Sequence, residues 1–136
     1  MKNLWGCYPN PMRCLYHENL DRKLALLTSL WKPRINIIDG INALDGHGPM
    51  FGNPIKMHLL VVSNNAGASD ALGSRIMGYN PKDIGHIRVA EKECLGPIDP
   101  QNMKLIGGSF STSSHLEEQS LTIYPLYPFI IPSCRN

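Results

Sequence analysis

The chain has 136 residues, of which 43% are hydrophobic and 18% are charged, and its formal net charge is +2. This length fits one domain that buries roughly two thirds of the surface of its unfolded chain. No basic run is longer than Arg22-Lys23, so we expect neither nucleic acid nor a membrane as a partner. No stretch of roughly 18 apolar residues and no signal-peptide core is visible, which predicts a cytoplasmic location.

The first predicted elements are a turn and an amphipathic helix. Pro9 and Pro11 block helix formation and predict a surface turn after a short extended piece, Asn3 to Tyr8. Asn19 is the predicted N-cap of the helix, and Pro33 ends it. Apolar residues at helical spacing predict this helix, namely Leu20, Leu24, Leu27 and Trp31.

An apolar strand follows this helix. Residues 35–38 are mostly isoleucine, and we expect the strand to be buried in a parallel or mixed sheet, where Asn36 would need a hydrogen-bond partner. The strand leads through Asp39 into Gly40 to Pro54, which is rich in glycine and proline and is predicted to be mostly loop. Met57 to Ser63 is predicted to be a second apolar strand.

Two helices and a short strand complete the predicted order. The helices run from Gly67 to Met77 and from about Lys82 to Cys94, and Met103 to Ile106 is the third strand. This order indicates an α/β fold, and we place one α/β domain with a small parallel or mixed sheet at residues 1–108. Residues 109–136 are first polar and then mix aromatics with prolines, which predicts an extended tail.

The candidate site is the glycine-rich segment after the first strand. In open α/β sheets, ligands bind beyond the carboxyl ends of strands, so we expect Asp39 and the residues around Asp70 to share one rim. Carboxylates there could bind a hard cation such as Mg²⁺, and glycine amides could bind an anionic group. The predicted divalent-metal ligands are Asp39, Asp45 and Asp70. The predicted ligand-binding residues are Lys2, Asp39, Gly40, Gly46, Gly48 and Gly52.

Ordinary structural explanations exist for these residues too. Asp39 and Asp45 each precede a glycine, as in many turns, and carboxylates beside glycines are a weak pattern. His17 and His47 are the candidates for proton transfer, because histidine titrates near neutral pH. The four cysteines form no Cys-x-x-Cys pair, so the chain carries no motif for an iron–sulfur cluster or a zinc ribbon.

Three segments match, in order, the motifs of one family. They are KNLWG at residues 2–6, IIDGINALDGHGPMFGNP at 37–54 and NAGASDALGSRIMGYNPKDIGHIRVAEKECLG at 65–96. They resemble the Lys-Asn-Leu-Phe-Gly segment, the Asp-Gly loop and the helix pair opened by Asp-Pro-Val-Ala-Val-Asp in the domain of unknown function 362 family. Its members are uncharacterised α/β proteins, often joined to ferredoxin-type iron–sulfur modules, and His17 falls where they have a histidine ahead of a helix.

The chain also departs from the family pattern. Asn65 stands where the first aspartate of Asp-Pro-Val-Ala-Val-Asp is expected, leaving Asp70 as the second, and Asp45 replaces the usual glutamate. No cluster-binding cysteine pattern follows Ile106. Members carry about another half-domain before the Lys-Asn-Leu-Phe-Gly segment, so the chain resembles the C-terminal half of a larger α/β domain. We therefore expect unpaired sheet edges that favour a homo-oligomer or pairing with a separate N-terminal half.

Three hypotheses for the function follow. The first is a family protein of unknown activity, linked through its relatives to a redox partner. It binds a small anionic ligand or a metal at a rim formed by Asp39, Asp45, His47 and Asp70 with Gly46, Gly48 and Gly52. The second is a non-catalytic remnant or an interaction subunit. The third is a metal-dependent enzyme acting on a small organic acid, with His17 or His47 transferring the proton.

Overall fold

Three α-helices and two antiparallel strand pairs make up the part of the chain that the computed structural model describes, residues 1–48 and 50–106. The elements are α1 (Leu20–Trp31), β1 (Asn36–Gly40), β2 (Ala43–His47), β3 (Phe51–Ile55), β4 (Leu59–Ser63), α2 (Ala66–Ile76) and α3 (Gly85–Lys92). Short 3-10 helices occupy Lys2–Cys7, Arg13–Tyr16, Pro81–Asp83 and Pro100–Asn102. The α/β class is confirmed.

The helix α1 begins and ends where the sequence predicts. Its N-cap is Asn19, which adopts a left-handed conformation (φ 52°) and makes no side-chain cap hydrogen bond. Lys32 N donates to Thr28 O over 2.9 Å and closes the last turn before Pro33. The inward face of the helix is buried and carries Leu24, Ala25 and Thr28.

The strands β1 and β4 form a two-stranded antiparallel ladder, in which Asn36 pairs with Ser63 and Gly40 pairs with Leu59. The expected parallel or mixed sheet is therefore wrong for these strands. A parallel pair needs a crossover connection, usually a helix, whereas a hairpin connects β1 to β4 here. The side chain of Asn36 finds its partner within the ladder, because its Nδ2 donates to Ser63 O over 3.3 Å.

The segment predicted to be mostly loop is instead a β-hairpin of β2 and β3, in which Gly46 pairs with Gly52. Its glycines serve the hairpin itself. Gly46 has φ +75°, which side chains rarely adopt. A Cβ at position 52 would lie 2.7 Å from Asp45 O and would overlap the Leu44 side chain. The glycines thus allow β2 and β3 to approach closely. The sequence of these strands does not alternate polar and apolar residues, so it did not indicate strands.

Two other predicted elements differ from the structure. Asn3 to Tyr8 is mostly a 3-10 helix (Lys2–Cys7) that buries Trp5, since Pro9 restricts only its own conformation and that of the residue before it. Met103 to Ile106 forms no strand in the described part of the chain. The predicted helix from Lys82 to Cys94 is shorter, because the chain forms the 3-10 turn Pro81–Asp83 before α3 begins.

The core lies between the helices and one face of the β1–β4 ladder. The helix α2 packs closely on this face, since a Cβ at Gly73 would lie 2.8 Å from Ile38 Cδ1. The opposite face is uncovered, with Ile35 59% and Ile37 62% exposed, so the expected burial of this strand on both faces is wrong. The main buried cluster consists of Met1, Ala66, Ala71, Ile87, Ala90 and Ile98.

The predicted tail, residues 109–136, and the last two residues of the predicted domain lie outside the described residues. Within residues 1–48 and 50–106, no helix is long and apolar enough to cross a membrane.

We predict that Leu24→Ala lowers the free energy of unfolding by about 2–5 kcal/mol, because it leaves a cavity between α1 and α3. Leu24 is 1% exposed, whereas Leu26 on the same helix is 57% exposed. The matched control Leu26→Ala should therefore change the free energy by no more than about 0.5 kcal/mol. Urea denaturation followed by circular dichroism measures both, and equal losses would contradict the observed orientation of α1.

Candidate functional site

Two carboxylates of the predicted site, Asp39 and Asp45, face solvent and already form hydrogen bonds within their own turns. Asp39 Oδ1 accepts from Ile41 N over 2.9 Å. Asp45 Oδ1 accepts from Gly46 N over 2.7 Å. Both contacts are local side-chain turns that aspartate forms readily. The ordinary structural explanation of these two residues therefore has direct support, and a second role would have to use their remaining oxygens.

The glycines whose amides were predicted to bind an anion also have contacts within the protein. Gly46 N donates to Asp45, and Gly48 N donates to Gly46 O over 2.9 Å. Gly40 is buried at the end of β1, where a Cβ would lie 3.2 Å from Leu59 O. Gly52 faces Gly46 across the hairpin ladder. The described geometry thus offers no row of free glycine amides at this hairpin.

The hairpin does bring three polar residues to one face. Asp45 and His47 are two residues apart on β2, so their side chains point to the same side. Asn53 lies directly opposite Asp45 on β3, and all three residues are exposed. A carboxylate, an imidazole and an amide oxygen can all bind a divalent cation. Asp45 and His47 are therefore the only pair of the predicted catalytic and metal residues that the described structure places on one face.

Asp39 and Asp70 do not share a rim. Asp39 pairs with Leu60 near the start of β4, whereas Asn64 and Asn65 follow the end of β4 and lead into α2, which carries Asp70. In an antiparallel ladder, the carboxyl ends of the two strands lie at opposite ends of the ladder. The rim expected from the sequence required the two strands to be parallel. Because β1 and β4 are antiparallel, Asp39 and the residues around Asp70 lie apart.

Asp70 belongs to a different cluster, which joins three helices and the first residue. The Met1 ammonium lies 2.8 Å from Asp70 Oδ2, and His86 Nε2 lies 3.4 Å from the same oxygen. On the other side of the ring, His86 Nδ1 lies 3.9 Å from Asp21 Oδ1. The half-buried imidazole on α3 thus lies between carboxylates from α1 and α2.

The environment of Asp70 favours its charged form. Burial alone would raise the pKa of Asp70, but hydrogen bonds from His86 and the Met1 ammonium, together with their charges, lower the pKa below its ordinary value of 3.8. Both nitrogens of His86 face carboxylates, so neither is open toward a substrate. The arrangement joins α1, α2 and α3 through one imidazole.

Sequence reasoning missed Met1 and Asp21 as members of this cluster. Residues this far apart in sequence share no spacing pattern, and the single local signal is the glycine before His86. A Cβ at Gly85 would overlap the Asp21 carboxylate, so the glycine makes room for the aspartate. In the described part of the chain, no group of three or more histidine, cysteine, aspartate or glutamate side chains could hold a metal ion.

The remaining predicted site residues lie near the N-terminus. Lys2 is exposed on the first 3-10 helix, and His17 is exposed just before α1. The ring of His17 lies 6.2 Å from that of Trp5 with a tilt of 56°. No hydrogen bond or ion pair within residues 1–48 and 50–106 connects either side chain to the hairpin. The structure therefore does not bring them together with Asp45 and His47.

We predict that Asp70→Asn lowers the free energy of unfolding by about 1.5–3 kcal/mol at pH 7, because it removes hydrogen bonds to a charged, half-buried carboxylate. The lowered pKa means that this contribution is present above pH 3.8 and is lost as the pH falls through the folded-state value. The difference in the free energy of unfolding between the parent and Asp70→Asn should therefore decrease below about pH 3.8.

Denaturation at several pH values tests this, with Asp39→Asn as the control. Asp39 is exposed, so its substitution should cost about 0.5 kcal/mol or less. If the difference in the free energy of unfolding between the parent and Asp70→Asn stayed constant down to about pH 2, the assigned environment of Asp70 would be wrong.

Comparison with known proteins agrees with the resemblance seen in the motifs. The chain is similar to "Thylakoid-associated protein sll1697" of Synechocystis sp., with 33% identity over 104 residues that cover 71% of this chain and 32% of the relative. It therefore spans about a third of that relative's length. No solved structure matches it. The sequence model of the family described as "Domain of unknown function (DUF362)" matches residues 1–75, more than half of the chain, and the chain belongs to this family.

Proposed function

We propose that this chain acts as an interaction module of a DUF362 protein, completing its small sheet by binding a further α/β segment. The observation that carries the proposal is the uncovered outer face of the β1–β4 ladder, where Ile35 and Ile37 are 59% and 62% exposed. The activity of the family itself is unknown. The proposal therefore concerns assembly and names no reaction.

The exposed apolar residues of the ladder are contiguous. Ile37 pairs with Val62, so the two side chains lie on the same face, and strand alternation adds Ile35 at the end of β1. The helix α2 packs through Ile38 on the opposite face. Single exposed apolar residues are ordinary on a protein surface, whereas contiguous ones mark an interaction site. A layer that covers this face would complete the α/β sandwich.

The edges of the ladder support the same proposal. In the described part of the chain, β1 and β4 each have one strand neighbour, and each leaves one edge of backbone N–H and C=O groups unpaired by a strand. Such edges accept a further strand readily. The chain also covers only 32% of its Synechocystis relative, so a longer relative has chain length from which to supply that strand and the covering layer.

The partner that fits this surface is an α/β segment like the part of the Synechocystis protein that lies outside the aligned third. Its recognition would combine β-strand addition at the ladder edge with burial of the isoleucine face. The redox partner implied by the family and the cytoplasmic location stay predictions. The relative's name says that the relative is associated with thylakoids, and a thylakoid location is the alternative that it suggests for this chain.

We predict that the chain forms a 1:1 complex with a fragment of the Synechocystis relative that lacks the aligned third, and that Ile37→Lys abolishes the complex. A charge at this position would be desolvated without a partner, which costs several kcal/mol. The control Leu26→Lys changes a similarly exposed residue on α1, 57% against 62%, and should leave binding unchanged. Size-exclusion chromatography with light scattering measures the complex.

Two results would overturn this proposal. If the chain stays monomeric and does not bind the fragment, the isoleucine face has no such partner. A homodimer disrupted by Ile37→Lys but not by Leu26→Lys would replace the fragment with a second copy of this chain. Circular dichroism of both variants verifies that a loss of binding is not a loss of the fold.

A second candidate function is binding of a divalent cation at the hairpin. The observation that favours it is the shared face of Asp45, His47 and Asn53. This set carries forward the first hypothesis from the sequence, with Asp39 and Asp70 left out because they lie elsewhere. A metal-dependent reaction on a small organic acid would need further groups on this face and stays a prediction.

We predict that Mn²⁺ broadens the backbone NMR signals of the hairpin around Asp45, and that Asp45→Asn weakens this binding about tenfold, because an amide replaces the one carboxylate of the set. Asp83→Asn, also exposed but on the 3-10 turn before α3, is the matched control. Equal broadening in Asp45→Asn and the parent would exclude Asp45 as a ligand.

A further inference from the structure

Two Asp-Gly pairs lie close together in the chain and have different surroundings. Asp39-Gly40 ends β1, and Asp45-Gly46 lies within β2. An aspartate before a glycine can undergo a spontaneous reaction, in which the backbone nitrogen of the glycine attacks the side-chain carboxyl carbon and closes a cyclic succinimide. Glycine favours this reaction because it has no side chain to shield its nitrogen. The folded structure decides whether the carboxyl and the nitrogen can meet.

At Asp45 the two reacting groups are in contact. Gly46 N donates to Asp45 Oδ1 over 2.7 Å, so the nitrogen lies next to the carboxyl group that it would attack. Both residues are exposed, and water can therefore reach them. A Cβ at position 46 would have a single neighbour within 4 Å, Asn53 Nδ2 at 3.9 Å, so the space around the glycine is open. Holding two groups in contact raises the rate at which they react.

At Asp39 the carboxyl contacts a different amide. Asp39 Oδ1 accepts from Ile41 N over 2.9 Å, one residue beyond the glycine that follows the aspartate. Gly40 is buried at the end of the ladder, where a Cβ would lie 3.2 Å from Leu59 O. Ring closure there would require the carboxyl to leave Ile41 N and the main chain to turn within β1. The same dipeptide is thus kept from reacting in β1, whereas its reacting groups touch in β2.

We propose that Asp45 is a site of spontaneous conversion to isoaspartate. Gly46 N forms a bond to Asp45 Cγ, the proton of the amide passes to solvent, and a carboxyl oxygen leaves as water. A water molecule then opens the succinimide. Attack at Cγ restores aspartate, whereas attack at the main-chain carbonyl carbon of residue 45 breaks its bond to Gly46 N and leaves the chain linked through Cγ. One water is released and one is consumed, so the net change is an isomerisation without oxidation or reduction.

The product would alter the hairpin. Asp45 pairs with Asn53, and Gly46 pairs with Gly52. The two strands approach closely at this point, since a Cβ at position 52 would lie 2.7 Å from Asp45 O. Linkage through Cγ adds a carbon to the main chain of β2, which shifts the following residues relative to β3, as an extra residue does in a β-bulge. The carboxylate also leaves the face that it shares with His47, while the mass of the chain stays the same.

Incubation of the full chain in H₂¹⁸O at mildly acidic pH tests the proposal, because each opening of a succinimide incorporates an oxygen atom from water. Peptide mass spectrometry with electron-transfer fragmentation distinguishes isoaspartate from aspartate and assigns the label to one residue. Asp45 should convert about tenfold faster than Asp39, because its carboxyl alone of the two contacts the next amide. Asp45→Glu keeps the charge and should show no conversion at position 45, since glutamate cannot form a succinimide.

The denatured chain provides the second measurement. In guanidinium chloride both Asp-Gly pairs lose their folded surroundings, so their rates of conversion should become similar. Equal rates at Asp39 and Asp45 in the folded chain would overturn the proposal, as would the absence of label at Asp45. If Asp45 still reacted faster than Asp39 by the same factor in denaturant, the neighbouring sequence and not the hairpin would set the rate, and the proposal would be wrong. These rates are measured without metal or partner, so they do not depend on either proposed function.

Discussion

The antiparallel pairing of β1 with β4 determines where the predicted metal ligands Asp39 and Asp70 lie relative to each other. The chain leaves β1 at Gly40 and must reverse direction to enter β4 at Leu59, and it does so through the hairpin of β2 and β3. The reversal places Asp39 at one end of the ladder and the entry to α2 at the other. Two groups of polar residues that a parallel sheet would bring together are thereby kept apart.

The helices share an apolar core, and one charged cluster joins them at its border. His86 lies between Asp21 and Asp70, so α1, α2 and α3 meet at a single imidazole. A glycine also lets α2 lie close to the ladder, since a Cβ at Gly73 would lie 2.8 Å from Ile38 Cδ1. A cluster of this kind stabilises an arrangement of helices without providing a reactive group, and it explains an aspartate that the family motif singles out.

Local sequence patterns predicted the helices well and the sheet poorly. The stripe of Leu20, Leu24 and Leu27 with a following proline is sufficient to define α1, because helical periodicity is a local property. Strand direction depends on which strands pair, and no feature of Ile37 or Val62 alone reports it. The glycines of β2 and β3 carry loop propensity, and only the close approach of Gly52 to Asp45 explains why they lie in strands.

The candidate sites divide in the same way. Asp45 and His47 could be predicted as neighbours, because they are close in sequence, whereas Asp70 meets the first residue and a histidine on another helix.

The contact between position 85 and the Asp21 carboxylate has an evolutionary consequence. A methyl group at position 85 would occupy the present position of that carboxylate, which ends an exposed side chain and would have to turn away from His86. In homologous sequences, we therefore expect glycine at position 85 wherever an aspartate at position 21 faces a histidine at position 86. An alignment would show this as covariation between α1 and α3, and it would report the packing of these helices in proteins of this family without a structure of each.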